Sequence, residues 1–221
     1  MTDTPLERLQ ETTRDVWTDP IASAIAAGRA MLKMLDGPWT DTEVGAVADL
    51  RRRRADSPLL LAMTEAVLDA EIGHQRAALI HILSQLEDHS WSDEIGLRVA
   101  HHPSLGVVSL GETTLAVLEA ARGLGGTSAA LFTDRRAVAR GLTYLGLMVE
   151  VAPPDEASAV LIPAAALMGT RMWTTVRAAD LVLRTSLREG EVVVVAHPLA
   201  WLSARNRADF RPSSTLIDVR I

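Results

Sequence analysis

Five short, nearly continuous apolar runs constrain this chain more than anything else in its 221 residues: "GVVSL" (106–110), "SAALFT" (128–133), "LMVEV" (147–151), "AVLIP" (159–163) and "EVVVVA" (191–196). Each has the length of a strand, and they are continuous rather than alternating apolar with polar. Strands of that kind are buried on both faces, as in a parallel sheet covered by helices. Helical patterns separate most of the runs, over 113–123, 135–145 and about 171–188. Alternation of strand and helix predicts right-handed crossovers and a Rossmann-like α/β domain over 103–221. The closing "STLIDVRI" reads as a terminal edge strand.

Before His101-His102-Pro103 the pattern is helical, which predicts an N-terminal helical bundle over 1–102. Asp19-Pro20 is a start signal, with Asp at the N-cap and Pro in the first turn. Ile21, Ala24, Ile25, Met31, Leu32 and Leu35 follow at helical spacing until Gly37-Pro38. A polar helix over 42–53 ends in "RRRR". Ser57-Pro58 opens a long pattern reaching about Leu86, with a break near Gly73. Ser90 and Asp93 have the spacing of a capping box for a helix ending near Ala100.

Composition removes several classes of function. The net charge of −6 argues against nucleic acid or an anionic membrane surface as a partner. With no cysteine there is no disulfide, thiolate metal site or cysteine nucleophile. Lys33 is the only lysine. The polar start "MTDTPLERLQETTRDVW" is unlike a signal peptide, and no apolar run approaches the roughly 20 residues that span a bilayer. The expectation is a cytoplasmic protein. GxGxxG and the P-loop signature are both missing, so no cofactor is expected.

Three segments resemble the family of initiation factor 2B regulatory subunits, which also contains methylthioribose-1-phosphate isomerase and ribose-1,5-bisphosphate isomerase. "VVSLGETTLAVLEAA" is similar to the family's first strand, loop and helix. "FTDRRAVARGLTYLGLMVEV" is similar to its acidic-x-Arg-Pro … Gly segment, with Asp134, Arg136 and Gly141 matching and Ala137 in place of proline. "AVLIPAAALMGTRMWTTVRAADLVLRTSLREGEVVVVAHPL" lies on the segment holding its Gly-Ala-Asp and Asn-Lys motifs. The resemblance runs from about Asp19 to Leu199. It implies a helical domain followed by a Rossmann-like domain, and assembly as a homodimer or with a related subunit.

The departures bear on chemistry. The resemblance implies an acid/base pair made by a cysteine in the first loop and the aspartate of Gly-Ala-Asp. Leu110-Gly111-Glu112 stands at the first position and Pro163-Ala164-Ala165 at the second. The Asn-Lys pair falls on Thr174-Thr175. The arginine-bearing elements that help hold phosphate fall near Ile21-Ala22-Ser23 and Ser57-Pro58, without their arginines. Aldose–ketose isomerisation needs a positioned base, and alanine is none. A non-catalytic member of the family is one expectation, with a weakened phosphosugar or nucleotide pocket near Arg136.

The alternative is a rebuilt sugar-phosphate enzyme. Its base would be Glu112, assisted by Asp134 or His102, in a concave pocket with Arg136 within reach. Ser109, Gly111, Thr113 and Thr114 would line the ligand's side of that corner, with Asp134, Arg136 and Arg140 at the next strand end. The competing account of Glu112 is a helix first turn, where an acid complements the macrodipole and Thr113 or Thr114 caps the amides. Arg136 suits a bidentate phosphate contact, but the cluster also reads as a solvated helix start. Glu71, His74 and His81 share a helical spacing, yet the further glutamates of a di-iron bundle are missing, so no metal is expected. Ser109 is not in G-x-S-x-G. Trp173 and Trp201 are candidate interface anchors.

Overall fold

The computed structural model describes residues 4–14, 20–123, 130–203 and 206–221; Asp19 lies outside them. The chain forms two compact units, one of residues 1–88 and 199–213, the other of 89–198 and 214–221.

The first unit is helical: α1 (Pro5–Arg14), α2 (Pro20–Met34), α3 (Asp41–Arg53), α4 (Pro58–Leu68) and α5 (Gln75–Glu87). Its core is Leu9, Met31, Leu50, Leu60, Met63, Leu79 and Leu86, drawn from all five helices. Local signals set the boundaries. Thr40 and Glu43 form a reciprocal capping box at α3. Ser57 accepts from the Leu60 amide at 3.4 Å, with Pro58 in the first turn of α4. Gly73 has φ +90° and separates α4 from α5, so the pattern from Ser57 to Leu86 is two helices. Arg51 bonds both Asp69 (2.9 Å) and Asp209 (2.6 Å), and the Arg211 amide donates to the Ala55 carbonyl at 2.8 Å. These contacts tie the returning segment to α3 and α4.

At α1 the Thr4 amide donates to Glu7 Oε2 at 2.7 Å, and the Glu7 amide donates to Thr4 Oγ1 at 3.2 Å. The Thr4 amide chiefly, and the Thr4 side chain next, hold the Glu7 carboxyl below its ordinary value of 4.5. A depressed carboxylate stabilises above its unfolded pKa and stops doing so as the pH falls through the folded one. Acidification below pH 4.5 should therefore fray the start of α1. The check is the protection of the Thr4 amide relative to its intrinsic exchange rate, which should fall on acidification in wild type and be low at every pH in Glu7→Ala.

The second unit begins with α6 (Trp91–Val99), which packs on α7 (Glu112–Gly123). The strands are β1 (Ser104–Val107), β2 (Ala130–Phe132), β3 (Val149–Glu150), β4 (Ala159–Pro163) and β7 (Glu191–Val195). They form one parallel sheet in the order β3-β2-β1-β4-β7. All five apolar runs thus supply strands of the expected Rossmann-like sheet. α8 (Arg136–Tyr144) lies between β2 and β3, and α9 (Val176–Leu187) precedes β7. Side chains from α6, α7 and α8 share a core with Leu105, Val107, Leu131, Leu161, Val193 and Val195 on one sheet face. Ala178, Leu181 and Val182 of α9 pack with Val160, Ile162, Val192 and Val194 on the other.

Two expectations require correction. Residues 171–175 are not helical: β6 (Arg171–Thr175) pairs antiparallel with β5 (Ala166–Met168) and with β8 (Leu216–Arg220) in a second, three-stranded sheet. "STLIDVRI" is indeed a terminal edge strand, but of this small sheet. Ser90 makes no capping hydrogen bond to α6; it has helical φ and ψ, which leaves its hydroxyl unable to act as an N-cap.

The passage from β3 to β4 has no helix. A single 3-10 turn, Pro154–Glu156, takes the chain across the sheet face. Its Pro154 oxygen lies 2.3 Å from where a Cβ on Gly106 would stand, so β1 must carry glycine there.

Candidate functional site

The strand order reverses direction between β1 and β4. Ligands of open α/β sheets lie at the carboxyl ends of strands at such a reversal. Here those ends are Val108–Gly111 after β1 and Ala164–Ala165 after β4, which the pairing of the two strands brings side by side. Their chemistry is already committed. The Ala164 amide donates to the Val195 carbonyl at 2.9 Å, and the Ala165 amide to the Trp173 carbonyl at 2.8 Å. Thr174 Oγ1 donates to the Pro163 carbonyl at 2.7 Å and is buried. Ser109, Leu110 and Gly111 are half-buried. Leu110 packs toward α8: its Cδ1 lies 2.8 Å from the Cβ position of Gly141. Gly141→Ala should push only the mobile end of Leu110, while gaining up to about 1 kcal/mol of helix propensity. A chemical-denaturation curve should show a net stability change within about 1 kcal/mol.

Glu112 opens α7, and the Gly111 carbonyl accepts from the Leu115 amide at 3.0 Å. Thr113 and Thr114 therefore fall inside the first turn and do not precede it as caps. Thr114 is buried there, its hydroxyl without a hydrogen-bond partner among the described residues. Glu112 lines a groove of about 650 Å³ between the start of α6 and α7, together with His89, Ser90, Ser92, Asp93 and Glu119. The groove is concave, but its lining has no arginine and two further carboxylates.

Asp134 follows β2 and is engaged from the α9 side, in an ion pair with Arg177. Thr133 Oγ1 accepts from the Arg135 amide at 3.3 Å, steadying that corner. Arg136 and Arg140 are exposed on α8. The structure thus gives Glu112 to the groove of α6 and α7, and pairs Asp134 with Arg177 of α9, the helix packed on the other sheet face. His102 is at the opposite end of the sheet: it precedes β1 and meets Glu191, the first residue of β7, at 2.9 Å. It cannot assist Glu112, because amino and carboxyl ends of a parallel sheet are separated by the strands themselves.

Glu71 and His74 belong to the turn before α5 and not to one helix with His81; their side chains approach at 3.5 Å and are largely exposed. Among the described residues no group of three His, Asp or Glu could hold a metal ion. No described helix is long and apolar enough to cross a membrane. Trp173 is buried in β6 beneath the Arg171 guanidinium at 5.4 Å, and Trp201 is half-exposed in the segment returning to the first unit.

One residue escaped the sequence reading. His197, just beyond the carboxyl end of β7, is 2% exposed and stacks edge-on against Trp91 at 5.5 Å. The available signal was its position: a titratable side chain directly after the last continuous apolar run.

A helical unit followed by this parallel sheet is the fold of initiation factor 2B subunits. Translation initiation factor 2B from Pyrococcus horikoshii OT3 superposes with a TM-score of 0.74 at 16% identity, over 93% of this chain and 83% of that one. The delta subunit from Chaetomium thermophilum gives 0.69 at 13% identity, over 100% and 94%. A chain of the tetrameric complex of two beta and two delta subunits from C. thermophilum gives 0.67 at 15% identity, over 100% of this chain and 88% of that one. No family model and no curated protein matches the sequence.

Proposed function

We propose that the protein is a non-catalytic relative of the initiation factor 2B regulatory subunits and acts by assembling, as a homodimer or with a related subunit. The state of the crevice between β1 and β4 carries this reading. A proton transfer between adjacent carbons needs a base at the reacting centre. Leu110, Ala164 and Ala165 supply none, and the two alanine amides are bonded within the sheets. A structural neighbour that is itself a tetramer of two kinds of subunit supports assembly among related chains. Any retained phosphosugar or nucleotide contact falls to Arg136 in the first turn of α8.

The test combines native mass with turnover. Purified protein is expected above the 23.8 kDa of one chain, alone or mixed with a related subunit. It is expected to leave ribose phosphates unchanged. Turnover that Glu112→Gln abolishes overturns the reading in favour of a second one, an isomerase-like enzyme rebuilt on Glu112. The concave groove at Glu112 is the observation behind that alternative. Asp93 and Glu119 weigh against it, because they repel a phosphate from the same groove.

A further inference from the structure

Between α8 and β3 the fold leaves a sulfur in solvent. These 221 residues hold seven methionines and no cysteine. Met31, Met63 and Met172 are wholly buried, Met34 is buried and Met168 half-buried, whereas Met148 is 71% exposed. Local structure builds that exposure. Gly146, at φ +75°, turns the chain out of α8; its amide donates to the Thr143 carbonyl at 2.9 Å, and the Leu147 amide to the Leu142 carbonyl at 3.1 Å. Leu147 and Val149 pack into the core shared with α6, α7 and α8. Alternation along this extended stretch points Met148, between them, the other way. On that side of β3 a crossover helix leading to β4 would ordinarily lie. Here the crossover is the single 3-10 turn Pro154–Glu156, and α9 packs on β4 and β7 instead. The backbone is pinned all the same: the Met148 carbonyl accepts from the Leu131 amide and the Glu150 carbonyl from the Thr133 amide, both at 3.2 Å.

We infer that Met148 is a reversible oxidation site, which takes one oxygen atom from a hydroperoxide. The inference goes beyond the assembly reading and does not rest on it. A sulfur lone pair attacks one peroxide oxygen, and the O–O bond breaks as the S–O bond forms. Sulfur gives up two electrons; the departing hydroxide takes the proton of the transferred oxygen and leaves as water. A methionine sulfoxide reductase reverses the step with two thiols, which become a disulfide while the oxygen leaves as water. Cysteine thiolates, the usual competitors for peroxide, are missing from this chain. Exposure then decides among the methionines, because the oxidant must reach the sulfur. The sulfoxide is polar where the thioether was apolar. Tyr144, Leu145 and Val151 are also exposed, so the oxygen lands in an apolar stretch of surface. It displaces nothing from the core, and the fold survives it. The same oxygen on Met31, Met63 or Met172 would enter a cluster of buried apolar side chains.

Peptide mass mapping of the native full chain, over time in dilute hydrogen peroxide, tests this. The Met148 peptide should gain one oxygen at least about tenfold faster than the peptides of Met31, Met63 and Met172. In urea, where every sulfur is open, the difference should vanish. Met1 lies outside the described residues and is followed in its own peptide. Retention on a hydrophobic column should fall when wild type is oxidised, and fall likewise in Met148→Gln without oxidant. Oxidised Met148→Leu should lack the shift. The urea midpoint should stay in place throughout, and a methionine sulfoxide reductase with dithiothreitol should restore the retention of oxidised wild type. Equal native rates at Met148 and the buried methionines overturn the inference. So does a midpoint lowered by oxygen on Met148 alone, a retention shift that persists in Met148→Leu, or a sulfoxide that the reductase leaves in place. Native mass enters none of these readouts, so the assembly reading stands or falls separately.

Discussion

Gly106→Val will cost the second unit on the order of 4 kcal/mol, among the largest effects a single substitution produces. A Cβ at position 106 would stand 2.3 Å from the Pro154 oxygen, 2.9 Å from its carbonyl carbon and 3.1 Å from its Cα. These are backbone atoms of the turn that carries the chain from β3 to β4. Neither side has room to yield. β1 is hydrogen-bonded to β2 on one side and β4 on the other, and Ser158, just past the turn, donates its amide to Ser104 Oγ at 2.9 Å. Overpacking against fixed atoms usually costs about 1–3 kcal/mol where side chains rearrange; a backbone obstacle removes that relief. Hydrogen exchange should show lost protection over 104–107 and 159–163. Unaltered protection there would mean that the crossing turn moves freely.

Leu60→Ala is expected to destabilise the first unit by about 3 kcal/mol. Leu60 is wholly buried in α4, within the cluster that joins α1, α2, α3 and α5. Removing its branched end loses transfer free energy and leaves a cavity; buried leucines of this kind cost about 2–5 kcal/mol. Leu59 and Leu61 flank it, so the backbone cannot rotate another leucine into the gap without exposing one already buried. The measurement is a urea midpoint together with exchange over 20–34, 58–68 and 75–87. A loss below about 1 kcal/mol would show that the bundle collapses into the space.

Much of the architecture is written in the sequence because its signals are local. "AVLIP" and "EVVVVA" are continuous apolar runs, and both are strands buried in a parallel sheet. Ser57-Pro58 announces a helix start through a hydroxyl acceptor and a fixed φ, and the structure uses both. Gly73 announces a break because its positive φ suits few other residues. "RMWTT" is harder: no glycine or proline separates it from α9, so a strand and a helix merge into one apparent helical pattern. Its place as the central strand of its sheet depends on pairing with β8, more than forty residues later, as well as with β5 beside it. The Ser90 cap fails for a related reason. Capping is a matter of φ and ψ at one residue, and spacing alone does not reveal them.

The candidate site divides in the same way. The sequence locates the corner at Ser109–Glu112 because strand ends are local; that Ala164-Ala165 stand where a carboxylate would act is what the family resemblance implies. The sequence does not reveal that Leu110 turns toward Gly141, that Arg177 takes Asp134, or that His197 lies beneath Trp91. Each of those depends on partners brought together by the sheet. His102 shows the limit most plainly: adjacent in sequence to the first strand, it sits at the end of the sheet away from Glu112.

The first unit is assembled from two separated stretches, and its closing piece supplies Asp209 and Arg211 to helices made much earlier. A ribosome that has released residues 1–88 has therefore not yet produced the strap those helices use. It must translate the whole of β1 to β7 first. At synthesis rates of about 5–20 residues per second, the early helices wait several seconds with Arg51 short of its closer carboxylate partner. Completion of the helical unit is thus deferred until β7 has been made. Truncating the gene after β7 would damage a unit whose helices are encoded before β1.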